Sequence, residues 1–228
     1  GRGPSSANLA SFKFAYKLLK ENCRDKLVLD YGCGKGIHTI PIAKMGAKKV
    51  MAIDLSEKSL DIAKNQADKE GGGDKVEFLK MDCEKMDFPD NYFDVIFDGG
   101  TFSSIDLKKA WSEISRVLKP DGVLVGIETF GHNPFTNLKR KLNKLTGKRT
   151  AWAASHIFRT EDLDDAKKYF RGIKVYYFHL TSWLAFPFLR LPGGKLFLKL
   201  FEFIDKILLS ASFLKKYVFK VVFIFSKV

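Results

Sequence analysis

The chain has 228 residues, 46% hydrophobic and 29% charged, so it can bury one sizeable core and is neither disordered nor collagen-like. Its three cysteines, Cys23, Cys33 and Cys83, have no CxxC or His-paired spacing, which excludes a disulfide scaffold or a zinc module. We therefore predict no metal site, and the cysteine content fits a reducing compartment. The formal net charge is +13, and residues 139–228 carry the whole excess, with 19 Lys+Arg against 6 Asp+Glu.

Residues 1–25 are predicted to be a tag remnant followed by an amphipathic helix over 8–21. The remaining residues, 26–228, alternate apolar strands with helices, the pattern of a doubly wound α/β fold whose parallel sheet is covered on both faces. The predicted strands are 26–31, 50–54, 76–79, 93–97, 123–128, 172–179 and 217–225. Four later helices are predicted: one over 36–45, one that follows an N-cap at Ser56, one over 106–118, and one over 161–170 that follows an N-cap at Thr160. A turn is predicted over 119–122.

A glycine turn follows the first predicted strand, in the sequence LVLDYGCGKG over residues 27–36. Glycine permits a tight turn and lets a ligand lie directly on the backbone. Asp54 ends the next strand, where its carboxylate can accept both hydroxyls of a ribose. Ile37 stands at the position where a dinucleotide-binding motif has its third glycine. The negative charge of Asp30 would repel a pyrophosphate but would attract a cationic ligand with an ammonium group.

At this point the sequence resembles the class I S-adenosylmethionine-dependent methyltransferases, and the resemblance continues in order over about residues 26–130. The later segments that carry it are 52–56, 80–83, 93–98 and 116–122. The resemblance implies S-adenosyl-L-methionine as the cofactor and S-adenosyl-L-homocysteine as its product. The cofactor-binding residues expected from it and from the glycine turn are Asp30, Gly32, Cys33, Gly34, Gly36, Asp54, Leu55, Asp82, Cys83 and Asp98.

The resemblance also implies a Rossmann-like, mostly parallel sheet of seven strands with an antiparallel last strand. A helical insertion at 183–216, between strands six and seven, would then lie beside the substrate pocket at the carboxyl ends of the strands. Segments 131–160 and 183–216 are therefore expected to be substrate-side or lid segments of a methyltransferase domain over 26–228. Residues 99–104 depart from the family, since many relatives have a short histidine-bearing helix there, and the acceptor site cannot be carried over.

The acceptor side offers few candidate residues. Methyl transfer depends mainly on positioning and needs a base only when the acceptor is a hydroxyl or an activated carbon. His132, just after predicted strand five, is the candidate base, and its alternative role is a hydrogen bond within the loop. His156 and Arg159 are candidate substrate-binding residues, Arg159 for an anionic group, whereas His38 is expected to pack.

The insertion is the second informative region. Over residues 195–209, five polar residues lie at helical spacing among ten apolar ones, an apolar face wider than a surface helix needs. The aromatic stretch 183–190 ends in an arginine. Together with the basic charge, this predicts an element that contacts anionic lipid or covers an apolar acceptor; a helix packed on the domain or in a dimer interface is the alternative.

The sequence thus predicts an S-adenosylmethionine-dependent methyltransferase acting on a small-molecule or lipid-like acceptor, with an anionic membrane surface as a further partner. An RNA methyltransferase is the alternative enzyme, but nucleic acid is the less favoured partner because the basic segments alternate with Phe and Leu runs. A non-catalytic, methyltransferase-like binding subunit is the third alternative. No apolar run reaches about 18 residues and no signal peptide is recognised, so a cytoplasmic location is expected, peripheral on the inner face of a membrane.

Overall fold

The computed structural model describes residues 9–71, 73–134, 137–138 and 157–227. The strands are β1 (Leu27–Tyr31), β2 (Lys49–Asp54), β3 (Val76–Lys80), β4 (Phe93–Asp98), β5 (Leu118–Thr129), β6 (Gly172–Phe178) and β7 (Lys220–Ser226). The helices are α1 (Ala10–Asn22), α2 (Thr39–Lys44), α3 (Glu57–Glu70), α4 (Leu107–Val117), α5 (Thr160–Ala166) and α6 (Gly194–Leu208). Short 3₁₀ helices lie at Gly73–Lys75, Phe102–Ser104, Ser182–Phe188 and Ser212–Tyr217.

All seven strands form one sheet in the order β3-β2-β1-β4-β5-β7-β6. The pairs from β3 to β5 are parallel, and β7 lies antiparallel between β5 and β6. The predicted Rossmann-like sheet with an antiparallel last strand is therefore confirmed. Lys220, the first residue of β7, pairs with Thr129 on one side and with Phe178 on the other. The last residues of β5 and β6 therefore lie at the same end of the sheet as the start of β7.

Apolar side chains cover both faces of this sheet. Neighbouring residues of β1 alternate between the faces, so that Val28 joins a buried cluster with α1 and α2 while Leu29 joins a cluster with α4 and α5. In the second cluster, Trp111 of α4 is 1% exposed and packs edge-on against Phe102 and Phe170. The alternation explains the nearly continuous apolar sequence of the parallel strands.

Several predicted boundaries were wrong, among them the start of the second helix, which lies at Thr39 rather than at 36. Residues 119–122, predicted as a turn before the fifth strand, belong to β5 as a bulge, because the pairing with β4 jumps from Phe93–Leu118 to Val95–Val123. The last strand begins at Lys220 rather than 217, since the chain before it forms a 3₁₀ helix. Helix α5 begins at Thr160 itself and ends at Ala166, after which the chain continues in i→i+3 turns.

The predicted N-cap at Ser56 is confirmed. The Ser56 side chain caps α3, with its Oγ accepting from the Ser59 amide at 3.2 Å. Pro41 is the third residue of α2, so its missing N–H falls in the first turn, where an α-helix has no internal partner for it. Within the ranges that the structure describes, no helix is both long and apolar enough to cross a membrane.

Candidate functional site

The glycine loop after β1 has three residues in the left-handed region, with φ of +69° at Gly32, +53° at Gly34 and +74° at Gly36. A Cβ on Gly32 would overlap the Thr101 side chain, and one on Gly36 would come within 2.9 Å of the Ala63 Cβ. A Cβ on Gly34 would meet nothing within 4 Å. Packing therefore requires two of the glycines, whereas the third leaves open space where a ligand can lie on the backbone.

The Asp54 carboxylate joins the end of β2 to this loop. Its Oδ2 accepts from the Gly34 amide at 2.9 Å, and its Oδ1 accepts from the Ser56 amide at 2.8 Å. Each carboxylate oxygen can accept a second hydrogen bond, so this arrangement leaves capacity for two hydroxyl groups. Leu55, the next residue, is 61% exposed and offers an apolar surface beside the carboxylate.

The segment after β3 is tied to β1. The Tyr31 hydroxyl donates to the Cys83 carbonyl at 2.8 Å, and the Asp82 Oδ1 accepts from the Glu84 amide at 2.8 Å. Burial, followed by nearby carboxylates, raises the pKa of the Cys33 and Cys83 thiols well above the usual range. Both thiols therefore stay protonated at neutral pH and are not nucleophiles.

Asp30 lies beneath the loop and is only 1% exposed. The Thr39 hydroxyl at the start of α2 donates to its Oδ2 at 2.5 Å. Burial raises the pKa of Asp30 to about 7, partly opposed by the Thr39 hydrogen bond and reinforced by the Asp54 charge. In the structure, Asp30 therefore holds the start of α2 in place. Its contact with the ammonium group of a ligand stays a prediction.

Two buried carboxylates hold the loop after β4. Asp98 Oδ1 accepts from the Thr101 amide at 2.8 Å, while Glu128, at the end of β5, accepts from the Phe102 amide at 2.8 Å. Among the described residues, Asp98 Oδ2 is buried without a hydrogen-bond partner. Burial first and the Glu128 charge second raise the pKa of Asp98 well above its usual range, although hydrogen bonds from the Thr101 and Gly100 amides, and then the Lys220 charge, oppose the shift.

His132 contacts the start of α5. Its Nε2 lies 3.4 Å from the Thr160 amide, which donates to it, 3.2 Å from the Thr160 hydroxyl and 3.7 Å from a Glu161 carboxylate oxygen. With Nε2 accepting, the neutral ring carries its proton on Nδ1. To act as a base, His132 would first have to lose the Thr160 contact, so the observed geometry favours the alternative loop role and its catalytic role stays a prediction.

Arg159 lines a cavity of about 500 Å³ between the loop after β4 and the chain entering α5. Apolar side chains from both segments line it, among them Phe102, Ile105 and Ile157. Its charged lining consists of Asp106, Lys108, Arg159, Glu161, Asp162 and Asp165, so carboxylates outnumber cations. This lining does not favour an anionic acceptor group beside Arg159, and His156 lies outside the described residues.

Sequence reasoning missed Thr101, which connects the two loops of the site. Its hydroxyl lies 3.0 Å from the Tyr31 carbonyl and 3.3 Å from the Gly32 carbonyl. The departure from the family at 99–104 was the only sequence signal for it. As expected, His38 packs: its Nδ1 lies 2.8 Å from the Tyr16 hydroxyl, and burial followed by the Lys220 charge lowers its pKa to about 4.

The sheet order, the glycine loop after β1 and the carboxylate ending β2 together define a class I methyltransferase fold. Residues 29–126 match the family model of the methyltransferase domain, which confirms the resemblance predicted from the motifs. Geranyl diphosphate C-methyltransferase from Streptomyces coelicolor A3(2), solved with geranyl diphosphate and S-adenosyl-L-homocysteine, has a TM-score of 0.68 at 17% identity, covering 95% of this chain and 77% of that one. This likeness shows the shared fold.

Two further comparisons have higher sequence identity. A SAM-dependent methyltransferase from Aquifex aeolicus is 29% identical with a TM-score of 0.52, over 71% of this chain and 80% of that one. Sterol 24-C-methyltransferase ERG6B of Gibberella zeae is 40% identical over 97 residues, which are 42% of this chain and 26% of that protein. The chain thus spans about a quarter of the length of the sterol methyltransferases it matches.

Proposed function

We propose that this chain is an S-adenosylmethionine-dependent methyltransferase that transfers a methyl group to a small-molecule or lipid-like acceptor. The observation that carries the proposal is the open backbone at Gly34 beside an Asp54 carboxylate, which the Gly34 amide holds at 2.9 Å. The match to the methyltransferase domain includes both residues. The names of similar proteins, a sterol and a geranyl diphosphate methyltransferase, support an apolar acceptor.

The residues present fit this cofactor. When bound, S-adenosyl-L-methionine supplies a methyl group on a cationic sulfur that is a good leaving group. Asp54 would accept the ribose hydroxyls with its remaining lone pairs. Asp98 Oδ2 would accept from the ammonium group, and this hydrogen bond would offset about 1–3 kcal/mol that an unpaired buried acceptor costs. Gly32, Cys33, Gly36, Leu55, Asp82 and Cys83 would complete the binding surface, with Asp30 acting through Thr39.

The acceptor side follows from the ends of β4 and β5. We propose that the cavity of about 500 Å³ receives part of the acceptor, with Phe102 and Ile157 against its apolar portion. Arg159 would donate hydrogen bonds to a polar group, and His156 stays a proposed substrate contact. His132 stays the proposed base for an acceptor that must lose a proton, and it would become available when the Thr160 contact opens.

The wider organisation is proposed on the same grounds. Residues 26–228 would act as one methyltransferase domain after the segment 1–25, with 131–160 and 183–216 on the substrate side. The three cysteines are free and buried, which supports work in a reducing cytoplasm. Peripheral association with the inner face of a membrane would bring the enzyme to lipid-like acceptors.

Calorimetric titration with S-adenosyl-L-homocysteine tests the proposal. Asp54→Ala removes a charged acceptor at about 1.5–3 kcal/mol, so affinity should fall at least tenfold. Asp61→Ala removes an exposed carboxylate of α3 and serves as the matched control, with affinity within twofold of wild type. Circular dichroism shows whether each variant is folded. A folded Asp54→Ala protein that binds as tightly as the control would refute the assigned site.

A further inference from the structure

The exposed apolar side chains of this protein are concentrated in one segment. Fourteen large hydrophobic residues are exposed among the described residues, and ten of them lie between positions 184 and 217. They are Leu184, Phe188, Leu191, Leu196, Phe197, Leu200, Phe203, Ile207, Phe213 and Tyr217. Scattered single exposures are ordinary, but a contiguous apolar surface indicates an interaction site. We call this the insertion surface.

Helix α6 forms the centre of the insertion surface. Leu196, Leu200, Phe203 and Ile207 recur at steps of four, three and four residues, which places them in one row along the helix. All four are more than half exposed, with Leu196 reaching 73%. The opposite side of α6 carries its buried residues, including Leu198 and Asp205. The helix is thus packed by one face and presents an apolar row on the other.

The charge around this row has one sign. Residues 183–217 contain six cationic side chains: Arg190, Lys195, Lys199, Lys206, Lys215 and Lys216. The two acidic residues of the segment are partly or fully buried: Glu202 is half-buried, and Asp205 is 5% exposed. Within the described part of the chain, none of the six cations has an ion-pair partner within 4 Å.

Asp205 fixes the orientation of α6. Its Oδ1 accepts from the Thr181 amide at 2.6 Å and the Thr181 hydroxyl at 2.7 Å, and its Oδ2 accepts from the Ser182 amide at 3.2 Å. Rotating the apolar row inward would break these charge-assisted hydrogen bonds and leave a carboxylate and two amides unpaired. The row therefore faces outward as a built feature of the folded chain.

We propose that the insertion surface binds an anionic lipid bilayer, with the apolar row in the interface and the six cations at the headgroups. A second copy of the chain would bring the same six cations against their equivalents, which opposes a dimer through this face. An anionic bilayer instead complements both the apolar row and the charge. The insertion begins after β6 and ends before β7, at the sheet edge where β5 ends, so binding would turn the acceptor side toward the lipid.

Vesicle flotation at low salt tests this without requiring catalysis. The wild-type chain should bind phosphatidylcholine vesicles that contain about one third phosphatidylserine, bind pure phosphatidylcholine much less, and lose affinity as salt is raised. Lys195→Glu with Lys199→Glu should weaken binding by about tenfold or more. Lys58→Glu with Lys64→Glu makes the same charge change on exposed positions of α3 and should change binding by about twofold at most.

An apolar variant separates insertion from charge attraction. Leu200→Ser with Phe203→Ser removes two exposed side chains, so unfolding should be unchanged while vesicle binding falls about tenfold. Wild-type protein that ignores anionic vesicles at low salt would overturn the proposal. Equal losses of vesicle binding in the α6 and α3 charge variants would also overturn the proposal, because any basic face would then suffice for vesicle binding. A concentration-dependent dimer that this apolar variant abolishes would assign the surface to a second copy instead.

Discussion

The two halves of this protein handle charge and apolar surface in opposite ways. In the parallel half, residues 27–129, carboxylates accept backbone amides, and exposed lysines and arginines pair with acids such as Glu57, Glu77 and Glu113. In the insertion, described over residues 183–217, none of the six cations has an ion-pair partner within 4 Å, and ten large apolar side chains are exposed there. One half carries the proposed ligand site between its loops, and the other carries an apolar surface that the described residues leave exposed.

This contrast makes different predictions for substitutions in each half. In the parallel half, a change to a residue that holds the loops should alter both stability and cofactor affinity, because the same residues form the proposed site. A change on the outer face of the insertion should leave both unaffected. Substitutions at Gly32, Gly34, Asp205 and Asp30 test where that boundary lies.

The largest effect is expected at the glycine loop. Gly32→Ala places a Cβ in the left-handed region and against Thr101, which should cost about 3 kcal/mol of unfolding free energy. Gly34→Ala has the same backbone cost but no steric overlap, so it should lose only about 1 kcal/mol while its Cβ obstructs the ligand. Urea denaturation and titration with S-adenosyl-L-homocysteine measure the two effects. Equal stability of the two variants would contradict this packing of Thr101.

The second effect concerns the inner side of α6. Asp205→Ala leaves the Thr181 and Ser182 amides without their acceptor and should cost about 2 kcal/mol. Hydrogen exchange should accelerate in α6 and in the 3₁₀ helix before it, while cofactor affinity stays unchanged. Lys206→Ala, the exposed neighbouring position, is the control. Loss of cofactor affinity in the Asp205 variant would show that the halves are energetically coupled.

The smallest effect, when compared over a single pH unit, is a pH dependence. The folded-state pKa of Asp30 is about 7, above the unfolded value of 3.8, so the folded chain holds a proton that the unfolded chain releases between these values. Stability should therefore fall as pH rises through this window, by up to about 1.4 kcal/mol per pH unit. Asp30→Asn should remove this contribution, so that the difference from wild type grows toward neutral pH. Parallel stability–pH curves for the two proteins would contradict the burial argument.

The sequence allowed the glycine loop and Asp54 to be located because both signals are local: a strand, a turn and the end of the next strand. The contact between Asp54 and the Gly34 amide follows from neighbouring parallel strands ending at one edge. The roles of Thr101 and Glu128 could not be predicted, because each bonds a loop that follows a different strand. Their contacts depend on the register of β1, β4 and β5, which no local pattern encodes.

The insertion shows the same limit on a helix. The ten apolar residues among positions 195–209 predicted a wide apolar face, but several rows along the helix were equally apolar. Phe201 and Ile204 are half-buried in the structure, whereas Leu200 and Phe203 are exposed. Asp205 determines which side of the helix is buried, because its carboxylate accepts hydrogen bonds from backbone amides and so holds its own side of the helix inward. Sequence alone does not show where those amides lie.

The pairing of Phe178 with Lys220 has a consequence for how this protein could be rebuilt. Because these two residues face each other in the ladder, β6 and β7 form a hairpin whose turn has been enlarged into the insertion. The backbone already turns at His179, where φ is +65°. A short turn, such as Asn-Gly, could close the hairpin in place of residues 180–218. The insertion is in this sense an addition to a simple hairpin, and its removal would uncover the apolar surface on which its buried residues Ala185 and Leu198 pack.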